Sequence, residues 1–467
     1  MPVNFKKQRF SRRAMTNHVI HRAEIVHFLP TGAAADGADA DLRGARGGGM
    51  FRIGGKEAVC EYFPDGALMV RGGRVVKVGD AEEMLRADGG AHVVEHRDAL
   101  LMPGFVDSHV HFPQTDIIAA PGESLLEWLQ KYTFPAEMRY QSPEHCAAMA
   151  EFFLDMLLSS GVTTALVFAS VHRCSADALF AAARRRNMRL LAGKVMMDRN
   201  APAALCDTAQ SSFDDSLALA EKWHDNGRLR YAVTPRFAPT SSAEQLAAAG
   251  RLMEEIPGAL LHTHLSENRA EIAWVRELFP DTPDYLGVYE RFGLSSARSV
   301  FAHCLHLCDD EWRRLSSAGA AIACCPTSNL FLGSGLFSQR TARAHGLRVG
   351  YGSDVGGGTS FSPLRVMDEA YKTARLRGEV VGPFEMWKTA TLGGAEALGV
   401  ADSIGNFAAG KEADFIILDL RAPPLLRRRL SQCTTLSEKL FALAVLGGEE
   451  AVRAAYIAGE DILPRRT

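Results

Sequence analysis

Two imidazoles spaced two apart, His109 and His111, end the apolar run Met-Pro-Gly-Phe-Val-Asp-Ser-His-Val-His at 102–111. On a strand, side chains at i and i+2 project to the same side, so both rings can reach one metal ion. The spacing alone is weak, since fifteen His in 467 residues yield roughly half such a pair by chance. A second pair stands at His262 and His264. Further polar residues end later apolar runs: Glu267 three positions beyond His264, then His303, then Asp354 in Gly-Ser-Asp. Three imidazoles and a carboxylate suit a borderline-soft divalent ion such as zinc, with room for a water. Such an ion brings the water's pKa from near 16 to about 7. Glu267 is spaced to carry a proton to a leaving group, and His303 and Asp354 to hold and deprotonate the water. The chemistry indicated is metal-assisted hydrolysis.

The elements that must position these residues show as eight short apolar runs, at 100–106, 163–168, 190–197, 230–234, 259–265, 299–303, 320–324 and 347–351. Stretches with helical spacing, such as 143–159 and 243–255, separate them. Eight βα units over about 280 residues predict an α/β fold of the (β/α)8 TIM-barrel type, which typically needs ~250. A doubly wound open sheet is the alternative, but no Gly-rich nucleotide loop accompanies it. In a barrel the chemistry sits where strands end. The first run leads to His109 and His111, the fourth to Arg236 and Phe237, the fifth to His262, His264 and Glu267, the sixth to His303 and the eighth to Asp354. Singly, each has a bland reading as a cap or core residue. Jointly, four separate rims carrying imidazoles or carboxylates make coincidence much less likely.

Both ends of the chain are β-like. Runs at 23–29, 58–63, 67–71, 74–78 and 92–96 are punctuated by Pro64-Asp65-Gly66 and Gly72-Gly73, as in hairpins, and similar runs return at 413–418 and 452–457. The expectation is a small β-sandwich domain built from 23–100 and 395–467, a barrel over 101–394, and a basic, disordered arm over 1–22. That arm carries Lys6, Lys7, Arg9, Arg12, Arg13 and Arg22 with no acid, and lacks the apolar core of a secretory signal. A targeting peptide, or initiation at Met15, are the other readings. The Ala/Gly/Asp-rich stretch 31–57 reads as a loop or mobile insertion.

Hydrophobic content of 47%, charged content of 23% and a net charge of −3 fit an ordinary globular enzyme and give no reason to expect a nucleic-acid partner. No apolar run reaches the length of a membrane span. Nine Cys, odd in number and without C-x-x-C, exclude a disulfide framework, and Cys324 and Cys325 read as small buried hydrophobes. The composition is that of a cytoplasmic chain.

On these residues the chain resembles the amidohydrolase superfamily of metal-dependent barrel hydrolases. The broad marks are Pro-Gly-Phe-Val-Asp-Ser-His-Val-His at 103–111, His-Leu-Ser-Glu at 264–267, His303, Ser353-Asp354 and Gly-Lys-Glu-Ala-Asp-Phe at 410–415. Narrower marks resemble the members that deaminate guanine: His-Phe-Pro-Gln at 111–114, Gly-Lys-Val-Met-Met-Asp at 193–198, Thr-Pro-Arg-Phe at 234–237, and the long run Leu-Leu-Glu-Trp-Leu-Gln-Lys-Tyr-Thr-Phe-Pro-Ala-Glu at 125–137. The resemblance spans about 23–460 and implies one zinc ion per chain on His109, His111, His264 and Asp354. It implies Glu267 as proton shuttle, His303 with Asp354 orienting the water, and Gln114, Arg236 and Phe237 reading guanine. It also implies a homodimer.

Spacing cannot choose between His262 and His264, which share a strand face; the likeness favours His264 and leaves His262 as a supporting or core residue. Arg236, read as unpaired among apolar neighbours, calls for an anionic or carbonyl partner, whereas Trp128 is expected in the core or an interface. Deaminases of the cytidine type carry H-x-E and P-C-x-x-C motifs, which are absent. The nearest alternative is a deaminase of the same superfamily acting on another purine, a pyrimidine or a triazine, against which the Gln114 and Arg236 segments speak. A non-catalytic barrel scaffold is the second, disfavoured because every expected ligand is present.

Overall fold

Alternating apolar residues draw the N-terminal part of the chain into a strand ladder. The structure is a computed structural model and describes residues 18–30, 49–53, 58–88, 90–122 and 124–463. The strands are β1 (Val19–Pro30), β2 (Gly49–Ile53), β3 (Ala58–Arg71), β4 (Arg74–Asp80) and β5 (His92–Pro103). The ladder is antiparallel from β1 through β3 to β2 and β4, and parallel where β1 meets β5. Gly72 and Gly73, at φ of 58° and 76°, form the tight β3–β4 turn as expected. Pro64-Asp65-Gly66 makes no hairpin. It lies inside β3, where the register with β1 shifts between Ala23–Gly66 and Ile25–Phe63. The long ladder on either side overrides the local turn preference, and Asp65 grips Arg22 through two 2.7 Å hydrogen bonds. Of the stretch read as a loop, 49–53 is strand paired to β3. Residues 18–22, counted with the basic arm, include the start of β1; the expectations for 1–17 and for most of 31–57 lie outside the described residues.

At Gly104 the chain passes from one sheet to another. The apolar run expected as a single strand at 100–106 is divided there, ending β5 and beginning β6 (Phe105–His111). Hydrophobic pattern cannot mark such a transfer, because both halves are buried. A Cβ at Gly104 would meet Thr163 Oγ1 at 2.0 Å, so only glycine fits the crossing. The remaining barrel strands are β7 (Val162–Phe168), β8 (Arg189–Gly193), the two-residue β9 (Val195–Met196), β10 (Leu229–Pro235), β11 (Leu260–Leu265), β12 (Ser299–His303), β13 (Ala321–Cys324) and β14 (Arg348–Tyr351). They pair in parallel in the order β14-β13-β12-β11-β10-β8-β7-β6, with β9 beside β10. Two backbone hydrogen bonds draw the ring together beyond β14, from Asp354 N to His109 O and from His111 N to Val355 O.

Inside the ring, Val106, Leu166, Leu191, Ala232, Leu260, Val300 and Ala321, on seven of the strands, pack with Leu398 and Ile404. Along β11 the same face continues from Leu260 to His262 and His264, so this apolar layer lies beneath the imidazoles. After the barrel, β15 (Phe415–Asp419), β16 (Val452–Ile457) and β17 (Glu460–Asp461) return to β5, completing a mixed sheet from both chain ends. Glu412 accepts from Arg189 at 2.7 Å and Arg228 at 2.6 Å, pinning the approach to β15 onto the starts of β8 and β10. Among the described residues, no helix is long and apolar enough to cross a membrane.

Candidate active site

Parallel pairing aligns the strand ends and with them the residues selected from sequence. β6 supplies His109 and His111, β11 supplies His262 and His264, β12 ends in His303, and Asp354 follows β14. Register places Leu265 opposite His303. Asp107 ties the first strand to the last turn: its Oδ1 accepts from the backbone N of His109 and of Ser353, each at 3.1 Å, and its Oδ2 from Ser353 Oγ. His303 and Asp354 adopt φ of 70° and 49°, a region that non-glycine residues seldom visit. Such strain persists only where the surroundings hold it, and it clusters at functional sites.

Nε2 of His109 and of His111 lie 3.1 and 3.3 Å from Asp354 Oδ1, and His111 Nε2 lies 3.2 Å from His264 Nε2. His264 Nδ1–H donates to Arg236 O at 2.7 Å, leaving its Nε2 as a bare lone pair. With His109 Nδ1–H donated to His262 Nε2 at 2.7 Å, His109 presents a bare Nε2 as well. Bare nitrogens facing a carboxylate oxygen have no proton to share, and a cation satisfies them together. Burial, reinforced by charge on neighbouring groups, holds His109, His111 and His264 well below the ordinary histidine range, in the neutral form that ligates metal. His262 sits behind His109 and can fix that ring's tautomer, as an outer partner of a metal-ligating histidine does.

Ligand atoms of His109, His111 and His264 lie within 4.8 Å of one another, as do those of His109, His303, Cys325 and Asp354. Cys325 suits a ligand role poorly. Burial pushes its thiol well above the ordinary range, and Sγ–H donates to Ala323 O at 3.5 Å. The donor set is therefore imidazole and carboxylate, and the site is a buried metal-binding one.

Glu267 Oε2 and Asp354 Oδ2 approach His303 Nε2 at 3.5 and 3.7 Å. Burial raises the Glu267 carboxyl above its ordinary range, which favours its holding a proton that it can pass on. Burial disfavours charge on His303, yet the Glu267 and Asp354 carboxylates carry its pKa above the ordinary value. Two residues with no sequence signal orient this pair. Ser334 Oγ donates to Glu267 Oε1 at 3.0 Å, and His303 Nδ1–H donates to Asn329 Oδ1 at 2.8 Å. Asn329 thereby directs His303 Nε2 toward the two carboxylates, which favour a proton there.

Above the imidazoles lies a cleft of about 380 Å³ lined by Gln114, Trp128, Arg236, Phe237, Glu267, His303 and Asp354, among others. Trp128 is core and wall at once, packed among Leu125, Phe134, Phe168 and Phe237, with Nε1–H donated to Ala120 O at 2.8 Å. Arg236 is not unpaired, as the sequence reading had it: Nη1 donates to Glu137 Oε1 at 2.8 Å. The same oxygen accepts from Gln114 Nε2 at 3.2 Å. Glu137 closes the long motif at 125–137, but its function was not legible there. The available signal was an acid set among apolar residues on a short helix, Phe134–Met138.

Barrel strands that carry their chemistry at the C-terminal rim, with donors suited to a divalent cation, place this chain among the metal-dependent hydrolases. The model of the amidohydrolase family matches residues 100–460. Guanine deaminase of Escherichia coli (strain K12) is 49% identical over 405 residues, which cover 86% of this chain and 92% of that protein. The structure of E. coli guanine deaminase aligns with a TM-score of 0.88 at 45% identity, covering 96% of this chain and 100% of that one. The crystal structure of guanine deaminase from C. acetobutylicum with guanine bound in the active site aligns with a TM-score of 0.83 at 25% identity, again over 96% and 100%. The chain belongs to the amidohydrolase family and, within it, to the guanine deaminase family.

Proposed function

We propose that this chain catalyses the hydrolytic deamination of guanine to xanthine and ammonia, with one zinc ion held by His109, His111, His264 and Asp354. The observation that carries the reading is a single cleft lined by His111, His264, Asp354 and Glu267 together with Gln114, Arg236 and Phe237. When bound, zinc supplies Lewis acidity that makes a nucleophilic water available near neutral pH. His303 and Asp354 orient that water toward the carbon bearing the amino group. Glu267 carries its proton to the adjacent ring nitrogen and then assists departure of the amino group as ammonia. Arg236 donates to the 6-oxo group, Gln114 offers a donor and an acceptor to the base edge, the backbone at Phe237 adds a contact, and its ring covers the purine.

The same reading assigns the chemistry to 101–394, with 23–100 and 395–467 as the companion β domain. It carries a homodimer on family likeness and a cytoplasmic location on composition. The test is ammonia release from a panel of purines, pyrimidines and triazines, with metal content measured on the same preparation. Release from guanine, with about one zinc per chain, supports the reading. Release mainly from another base moves the substrate, and zinc-free protein that turns over guanine sinks the metal assignment.

A further inference from the structure

Glu137 lies outside the cleft, yet it holds the two polar side chains assigned above to the base, Arg236 and Gln114. Its carboxylate is fully buried, and Oε1 accepts from Arg236 Nη1 at 2.8 Å and from Gln114 Nε2 at 3.2 Å. Its Oε2 is buried and makes no hydrogen bond among the described residues. On the far side of Gln114, Gly356 N–H donates to Oε1 at 3.3 Å. The amide is thus gripped at both ends, by an acceptor on its nitrogen and a donor on its oxygen. A rotation by half a turn would set nitrogen against N–H and oxygen against carboxylate. Only one orientation is compatible with both neighbours.

Arg236 is buried as well, at 3% exposure, with the face of Phe134 5.9 Å from its guanidinium carbon. A guanidinium in such surroundings needs a counter-charge, and Glu137 supplies it. With one nitrogen committed to Glu137, the rest of the planar fork is held in a fixed direction.

We propose that Glu137 is the positioning residue for base selection: it fixes which edge of the Gln114 amide faces the cleft, and it aims Arg236 at the 6-oxo group. This inference rests on the guanine reading above. Its signature is selectivity, not turnover, because Glu137 touches neither the reacting carbon nor the groups that move protons. A base without the 6-oxo group gains nothing from Arg236, so loosening Arg236 affects guanine and leaves such a base nearly untouched.

The experiment compares guanine with 2-aminopurine, which keeps the ring and the 2-amino group and carries hydrogen at position 6. In Glu137→Gln, KM for guanine is expected to rise at least tenfold with kcat changed less than threefold and metal content unchanged. The inhibition constant of 2-aminopurine against guanine turnover, which depends on Gln114 but not on Arg236, should rise by less than a third of the fold-change in KM for guanine. Since Glu137→Gln leaves a buried guanidinium without a counter-charge, Arg236→Gln and the charge-balanced pair Glu137→Gln/Arg236→Gln complete a cycle. Adding Glu137→Gln to Arg236→Gln should cost less than a third of its effect on the parent, because its main target is already gone. Unchanged KM in Glu137→Gln, fully additive losses, or equal weakening of guanine and 2-aminopurine each overturn the proposal. A parent enzyme that releases no ammonia from guanine instead sinks the underlying reading, before any variant is compared.

Discussion

At the scale of the residue, Glu267 is the group whose surroundings most narrow its role. It is buried, raised above its ordinary range by burial, hydrogen-bonded by Ser334 and set 3.5 Å from His303. A carboxyl so placed can move a proton without belonging to the proposed donor set of His109, His111, His264 and Asp354. Glu267→Gln keeps the shape and the acceptor for Ser334 while removing the exchangeable proton. Turnover should fall about 10²–10⁴-fold, the usual worth of a general acid–base, with metal content at the parental level by elemental analysis. Near-parental turnover would remove the shuttle role. The residues legible in sequence were those whose type announces chemistry, histidines and acids at the ends of apolar runs. Glu137 and Asn329 were not legible, because no periodicity links them to their targets. Glu137 meets Gln114 and Arg236 across 23 and 99 positions, and Asn329 meets His303 across 26.

At the scale of the element, the site depends on how the first and last barrel strands meet. Seven of the eight expected barrel strands appear within a few residues of where the apolar runs placed them, one of them, 190–197, divided into β8 and β9. The exception, the run at 100–106, fails because a buried strand leaving one sheet and a buried strand entering another look alike in hydropathy. Asp107 and the backbone bonds of His109 and His111 to 354–355 hold the closing seam. Gly352 sits inside it. A Cβ there would meet His109 Cβ at 2.8 Å, Cys325 Sγ at 2.9 Å and His109 O at 3.0 Å. Those neighbours are buried on all sides, so Gly352→Ala should displace His109 while leaving the other strands paired. The expected outcome is metal content below half the parental value, activity reduced in proportion, and an unchanged far-ultraviolet circular dichroism spectrum. Full metal occupancy in that variant would show that the seam yields without moving the donor.

At the scale of the whole molecule, the mixed sheet ties the two ends of the chain together beneath the catalytic barrel, and its buried histidines make that tie sensitive to acid. That such a sheet forms was legible from matching β character at both ends; its buried histidine pair was not, since His21 and His96 stand 75 positions apart on β1 and β5. Their rings share a 3.0 Å hydrogen bond between His21 Nδ1 and His96 Nε2, packed against Phe415 and Tyr456. Burial, with the charge of His96 and His92 adding to it, lowers the pKa of His21 to about 3. His96 is also lowered, again mainly by burial. The native chain therefore keeps His21 neutral, while the unfolded chain binds a proton as pH drops below about 6.5. The unfolded state gains protons, so stability is fully present above about pH 6.5 and is lost as pH falls from there toward 3. For His21 alone the slope approaches about 1.4 kcal/mol per pH unit. Asn at position 21 keeps a short polar donor toward His96 and cannot titrate. Urea unfolding at pH 7.5 and 5.5 should show the parent losing about 1 kcal/mol more across that interval than His21→Asn. Equal losses in the two chains would mean that the native sheet opens enough to protonate His21, and that its burial does not survive in solution.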